Sequence, residues 1–161
     1  MSKKHQSGTS SGDIMLDTIE TILAAKRRHF LKRKPVFHFF APAAEMDLFM
    51  IARELNCKLA VNLSRWLRIA GYGDINDTLI FRNDCFSAIG EGALSGCVTF
   101  ARDELGNAYA FSQKDEVIYY INRHDDNYAR MADNFLSFLQ ELIRRNYDLA
   151  QWRDTLLRKM A

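Results

Sequence analysis

The sequence predicts a single α+β domain in which one twisted, largely antiparallel sheet is flanked by helices. Apolar residues recur at helical spacing near both ends of the chain, and short runs rich in β-branched and aromatic residues fill the stretch between them. No internal repeat interrupts this order of helices, strands and helices. A chain of 161 residues is also long enough to bury a core of its own.

The N-terminal region is predicted to contain a tail and one helix. Residues 1–12 are rich in Ser, Gly and Lys and are expected to be a disordered tail, so that the domain spans residues 13–161. Ser11 or Asp13 would cap the helix that follows. Its apolar face would carry Met15, Ile19, Ile22, Leu23 and Phe30. The basic run KRRHFLKRK is expected to form its last turns, with Pro35 ending it and VFHFFA as a connection.

Two more helices are predicted before the strands. Pro42 suits the first position of the second helix, and Asn56 suits a left-handed residue after its end. Its buried stripe would be Leu48, Ile51, Ala52 and Leu55. The third helix, from about residue 62 to 70, would bury Leu63, Trp66, Leu67 and Ala70, and Gly71 and Gly73 would end it.

Four runs after Gly73 are typical of strands: TLIFR, CVTFAR, NAYAFS and EVIYYIN. The second and third, joined by a tight turn with Gly106 and Asn107, predict an antiparallel hairpin, which the fourth would extend into a meander. Two helices are then expected. One would bury Phe135, Phe138, Leu139 and Leu142 behind a cap at Asp133, and the other, from about Asp148, would bury Trp152, Leu156 and Leu157.

Charge is distributed unevenly along the chain. The net charge is +2, yet residues 1–34 carry eight basic residues against three acidic ones, while residues 74–126 carry ten acidic against four basic. Each segment can recruit a partner of opposite sign. The basic run 26–34 suggests binding to nucleic acid, but only Phe30 supplies the interleaved aromatics of single-strand binders, so nucleic acid is the less favoured partner.

No catalytic or metal-binding constellation is predicted. Cys57, Cys85 and Cys97 are widely separated and are expected to be reduced and apolar in role, so neither a metal nor another cofactor is expected. The polar group of His124, Asp125 and Asp126 could bind a cation or exchange protons, although adjacent acids after a strand are more typical of a solvated turn.

The neighbouring residues Tyr119 and Tyr120 are expected to point to opposite faces of a strand, one into the core and one to solvent. An exposed tyrosine beside acidic residues would suit an interface.

Three segments together resemble the SUKH superfamily, which includes the Smi/Knr cell-wall-assembly regulators and many bacterial immunity proteins. The segment IARELNCKLAVNLSRWL is similar to its first signature, FARDELGNAYAF to its second, and VIYYINRHDD with Phe135, Phe138 and Leu139 to its third. The resemblance covers about residues 45–142, outside which lie the basic first helix and the last helix. Asn56 and Ala60 replace the usual Gly and Pro.

The three scattered cysteines suit a reducing compartment, and the sequence has no run of about 18 apolar residues, so a cytoplasmic protein without a membrane helix is expected. The resemblance implies a non-catalytic binding role, most simply that of an immunity protein that binds and neutralises a toxin domain such as a nuclease. A regulatory or scaffolding module without a toxin partner is the alternative. Homodimers are conceivable through the amphipathic first helix. The expected partner-binding residues are Asp103, Glu104, Asp115, Glu116, Tyr119, Tyr120, His124, Asp125 and Asp126.

Overall fold

A computed structural model describes residues 13–160 and confirms the α+β class, with five α-helices and a largely antiparallel sheet in that range. The tail predicted for residues 1–12 lies outside the described residues. The helices are α1 (Ile14–Ala24), α2 (Glu45–Glu54), α3 (Val61–Ala70), α4 (Phe135–Arg144) and α5 (Leu149–Met160). The strands are β1 (Lys26–His29), β2 (Lys32–Pro35), β3 (Phe37–Ala41), β4 (Tyr72–Ile75), β5 (Leu79–Phe81), β6 (Ser87–Ala88), β7 (Cys97–Asp103), β8 (Ala108–Ser112), β9 (Ile118–Ile121) and β10 (Tyr128–Ala132).

The main sheet has the strand order β10-β9-β8-β7-β5-β4-β3, and every neighbouring pair is antiparallel. The short strand β6 pairs with β7. The predicted hairpin is β7–β8, and β9 extends it into the predicted meander. Strands β1 and β2 form a separate two-stranded sheet.

An aromatic core joins the sheet to the helices. Phe100 of β7 makes edge-to-face contact with Phe135 of α4, with ring centroids 5.6 Å apart, and Trp66 of α3 lies 5.6 Å from Phe81 of β5. Helix α1 packs against α3 and α4. Its apolar face, with Met15, Ile19 and Ile22 buried, is therefore covered within the chain and is not the free surface that a helix-mediated homodimer would need.

The predicted helix ends are confirmed at two positions. Asn56 has φ 50° just after α2, and Gly71 has φ 83° directly after α3. The chain leaves each helix through a residue with positive φ, a backbone conformation that Gly and Asn adopt most easily. Helix α2, however, begins at Glu45, so Pro42 lies three residues before it and not at its first position.

The basic run does not continue the first helix, so that prediction was wrong. Helix α1 ends at Ala24, and residues 26–35 form the β1–β2 hairpin. The buried apolar residues of α1 end at Ile22. A helix that continued through the six cations would have had no apolar face to pack against the core. The backbone instead turns back, and the N–H of Val36 donates to the carbonyl of Ala25 (3.0 Å), which closes the base of the hairpin.

Four of the eight strands of the main sheet were not predicted. The segment VFHFFA contributes β3 instead of a connection, and β4, β6 and β10 are also new. Each of the two edge strands carries one extra residue. Phe40 of β3 interrupts the register with β4, and Met131 of β10 interrupts the register with β9. These are β-bulges, which bend a strand and break its regular pairing.

Candidate functional site

The sheet separates the predicted acidic residues into two groups. Consecutive antiparallel strands place successive turns at opposite ends. Glu104, His124, Asp125 and Asp126 lie in the β7–β8 and β9–β10 turns, at what we call the acidic end. Residues 115–116 lie in the β8–β9 turn at the other end, about 15 Å away along strands of four or five residues. The predicted residues therefore do not form one patch.

Asp103 is buried and serves the core. Its side chain is fully inaccessible to solvent, and both of its oxygens are occupied. Oδ2 accepts hydrogen bonds from Arg153 (3.0 Å), the Tyr109 hydroxyl (2.8 Å) and Asn107 (3.0 Å). Oδ1 accepts the N–H groups of Leu105 (3.0 Å) and Asn107 (2.9 Å). With every contact internal, Asp103 fixes the β7–β8 turn and does not face a partner.

Arg153 of α5 also pairs with Glu104 of the acidic end. Its two terminal nitrogens reach Oε1 and Oε2 of Glu104 at 2.8 and 3.1 Å, a bidentate geometry. Hydrogen bonds to Glu104 and Asp103 raise the pKa of Arg153. Burial, together with the charge of Asp103, raises the pKa of Tyr109 well above its usual range. One cation thus offsets part of the charge of two carboxylates, and the exposed charges of this end are those of residues 123, 125 and 126, a cation and two carboxylates.

The two tyrosines point to opposite faces, as predicted. Tyr120 is fully buried, and its ring packs edge-to-face on Tyr109 at 5.7 Å. Tyr119 is half-buried on the opposite face, where its ring lies 6.0 Å from that of Tyr128. Only Tyr119 is therefore accessible to a partner, and Tyr120 is a core residue.

The largest apolar side chains that the described fold leaves exposed on a helix face were not among the predicted site residues. Met46, Phe49 and Met50 of α2 are 68%, 59% and 39% exposed. Their i, i+3 and i+4 spacing places them on one face, opposite the buried Leu48 and Ile51. We call this face the α2 stripe. The signal was visible in the sequence, since α2 has apolar residues on both faces.

Edge strand β3 adds aromatic surface just before α2. Phe39 and Phe40 are 54% and 39% exposed, and the guanidinium of Arg82 lies 5.4 Å from the Phe40 ring centroid. Four residues, 41–44, separate this pair from the first residue of α2. Adjacent exposed aromatic and Met side chains are characteristic of interfaces.

The polar residues of α2 are mostly acidic. Glu45, Asp47 and Glu54 outnumber Arg53, giving the helix a net charge of −2. Glu45 pairs with Arg68 of α3 at 2.5 Å, and Asp47 accepts a hydrogen bond from the Tyr72 hydroxyl at 2.8 Å. Burial and this bond to Asp47 raise the pKa of Tyr72. Arg53 lies at i+4 from Phe49 and therefore on the stripe itself, so the α2 stripe is an apolar surface with charges of both signs around it.

Within residues 13–160, one group of metal-ligating side chains comes together, namely His38, Asp74 and Asp77. Each already has a partner in the protein. Oδ1 of Asp74 accepts the N–H of Asp77 (2.9 Å), its Oδ2 lies 3.5 Å from Nδ1 of His38, and Asp77 lies 3.6 Å from Nζ of Lys34. Burial raises the pKa of Asp74. These contacts indicate that the Asp74 carboxylate stabilises the turn between β4 and β5.

Across residues 13–160, none of the helices has the combination of length and apolarity needed to cross a bilayer. No protein-family model, no curated protein and no solved structure matches this chain.

Proposed function

We propose that this chain is a non-catalytic protein-binding domain of the immunity type, which acts in the cytoplasm by binding and neutralising a toxin domain. The α2 stripe is the observation that carries the proposal. Three large apolar side chains on one exposed helix face, preceded in the chain by two exposed phenylalanines, form the kind of surface that a protein partner covers.

The chemistry of the stripe suits the centre of an interface. Met side chains adapt to irregular partner surfaces, and a Phe that becomes fully buried on binding can dominate the affinity. Burying all three would remove apolar area worth about 1.5–3 kcal/mol for each side chain. The ordering costs of association offset part of this gain.

Charge suggests one feature of the partner's surface. Asp47 and Glu54 border the stripe on one side, whereas Glu45 is already paired with Arg68 and Arg53 lies on the stripe itself. A partner with cations along the matching edge would be complementary to that side, and a nuclease that binds phosphates carries such cations. This agrees with the class of partner implied by the SUKH resemblance.

The test uses the products of the genes that flank the gene for this chain. Each product is purified and titrated with the full chain by isothermal calorimetry, and co-expression is scored for relief of growth inhibition. We expect one flanking product to be toxic, to bind with 1:1 stoichiometry and to be neutralised. If no flanking product binds, the immunity proposal fails.

Two sets of variants locate the surface. Met46→Ser combined with Phe49→Ser should weaken binding by at least about 100-fold if the stripe is the interface centre. Asp125→Asn with Asp126→Asn, at the acidic end, should change affinity by less than about tenfold, mainly through the association rate. The reverse ranking would move the interface to the acidic end, and binding of a non-toxic flanking product would favour the regulatory or scaffolding alternative.

A further inference from the structure

The β1–β2 hairpin is a projecting ribbon with an unusual charge pattern. Its strands hold six cations within ten residues, and every residue of both strands is exposed. The cross-strand pairs are Lys26↔Pro35, Arg27↔Lys34, Arg28↔Arg33 and His29↔Lys32. Side chains alternate between the faces of a strand, so the cations cover both faces at successive levels along its length.

The positive charges of the hairpin repel one another in the free protein. Like charges directly opposite each other across a strand pair are destabilising, and Arg28 faces Arg33 in this way. Near the base, Arg27 donates to the Asn76 side chain and Lys34 lies 3.6 Å from Asp77. Towards the tip, no ion pair with another described residue relieves the repulsion between Arg28 and Arg33. A polyanion would relieve it.

The turn at the tip of the hairpin contains residues that are unusual in a two-residue turn. The two-residue turn is formed by Phe30 and Leu31, which are 86% and 97% exposed, where Asn-Gly or a similar pair is usual. Phe30 has φ 57°, a conformation that bulky residues rarely adopt. Violations of local preference that bring no benefit to the fold concentrate at functional positions.

We propose that this basic hairpin binds double-stranded DNA by entering a groove tip first. The cations that are not bound to the body of the protein would contact phosphates on both sides of the groove, and Phe30 and Leu31 would form an apolar wedge against the bases. Grooves of B-DNA admit a two-stranded ribbon, and apolar wedges of Phe or Leu inserted between base steps are a known mode of minor-groove binding.

The geometry favours a groove over a lipid surface. Three steps of about 3.3 Å separate the first and last residue pairs, so the cations lie at levels spread over about 10 Å. A DNA groove is flanked by two phosphate backbones, one on each side, so the long Lys and Arg side chains on the two faces of the ribbon can each reach a row of phosphates. A bilayer presents its anionic groups near one plane and would engage only the level next to the tip.

The DNA proposal is independent of the proposed function, because the hairpin and the α2 stripe are different surfaces. The test measures binding of the purified full chain to a fluorescently labelled 20-base-pair duplex by anisotropy, from low to physiological salt. If Arg27 and Lys34 stay bound to the body, four cations remain to contact phosphates, and the plot of log affinity against log salt should have a slope of about −4.

Paired variants separate the two parts of the hairpin. Arg28→Glu with Arg33→Glu should weaken binding at least about 100-fold and reduce the size of the salt slope by about 2. Phe30→Ser with Leu31→Ser should leave the slope unchanged, weaken binding about tenfold and abolish any bend of the duplex measured by end-to-end energy transfer. These residues are exposed, so the fold should be preserved, as circular dichroism would verify.

A control variant carries the same charge change elsewhere. Arg158→Glu with Lys159→Glu, on the exposed side of α5, should change the affinity for the duplex by less than about threefold. The proposal is overturned by failure to bind the duplex at low salt, or by equal losses in the hairpin and control variants. Tighter binding to the single strand, to an RNA duplex or to phosphatidylserine vesicles would overturn it as well.

Discussion

Arg153 and Asp103 form an ion pair inside the protein, with Nη1 3.0 Å from Oδ2 and with side chains only 6% and 0% exposed. They lie fifty residues apart and join the last described helix to the β7–β8 hairpin. The Asp103 carboxylate also accepts hydrogen bonds from the Tyr109 hydroxyl, the Asn107 side chain and two backbone N–H groups, which satisfy the remaining acceptor positions. Such a pair is sensitive because each partner, left alone, would be a buried charge.

The first prediction concerns this ion pair. Arg153→Met removes the cation and leaves the Asp103 carboxylate buried without its counter-charge, so we expect the free energy of unfolding to fall by about 3–5 kcal/mol. Urea unfolding followed by circular dichroism measures the loss. Adding Asp103→Asn should recover part of it, and a double variant no more stable than Arg153→Met would contradict the charge argument. Arg144→Met, at an exposed arginine, is the matched control and should lower the stability far less than Arg153→Met does.

The second prediction concerns acid stability. Hydrogen bonds from Arg144 and Arg145 lower the pKa of Glu141 from 4.5 to about 2. Because the folded pKa lies below the unfolded one, this contribution is fully present above pH 4.5 and is lost as the pH falls towards 2. Glu141→Gln should therefore destabilise the protein at pH 7 by about 1 kcal/mol, a value that allows for solvent screening.

The measurement is urea unfolding of both proteins at several pH values between 7 and 2. The difference in the free energy of unfolding between wild type and Glu141→Gln should become smaller as the pH falls. A difference that stays constant down to pH 2 would show that Glu141 acts by packing and not by charge. Glu91→Gln, in the exposed loop between β6 and β7, is the control and should show no pH-dependent difference.

The third prediction concerns the contact between β3 and β4. A Cβ on Gly73 would collide with the carbonyl oxygen of His38 and lie 2.6 Å from the Phe37 ring. The carbonyl belongs to the paired strand and cannot move without disturbing the sheet. Gly73→Ala should therefore lower stability by at least about 1–3 kcal/mol. A Cβ on Gly90 would have no heavy atom within 4 Å, so Gly90→Ala should change the stability little. Equal changes in the midpoint of thermal unfolding for the two variants would refute the steric explanation.

The fourth prediction distinguishes two candidate caps of α4. The Asn134 side chain accepts the N–H of Ser137 at 2.9 Å, whereas Asp133, the cap predicted from sequence, pairs with Arg130 on the surface. Asn134→Ala should lower the midpoint of thermal unfolding in line with a loss of about 1 kcal/mol. Asp133→Ala should cost less than about half of that, and the opposite order would return the cap to Asp133.

Much of the fold follows from local patterns in the sequence. The β7–β8 hairpin was predictable because Gly106 supplies a turn between two alternating runs, and its φ is indeed 87°. Helices α2 and α3 carry regular apolar stripes and end at residues suited to left-handed backbone. Strand β4 was missed because YGDI contains Gly and Asp, and β10 because YARMA is rich in good helix formers.

The candidate site was harder to predict, for reasons that differ between residues. Asp103 resembles any acidic turn residue until α5 brings Arg153 to it, a contact that no local pattern reveals. Residues 115–116 and 125–126 are similar in sequence but are separated by the length of the sheet. The hairpin at residues 26–35 was missed because Phe30 and Leu31 occupy a turn that normally carries Asn and Gly.

The bulges at Phe40 and Met131 make edge-to-edge pairing between copies of this protein less favourable. A sheet with two open edges can in principle add strands from further copies without limit, as fibrils do. In each edge strand of the main sheet, the extra residue interrupts the row of unpaired backbone groups that an incoming strand would need. A partner at β3 must then be recognised by side chains such as Phe39 and not by extension of the sheet. The same interruption should keep the protein monodisperse at high concentration despite its exposed aromatic residues.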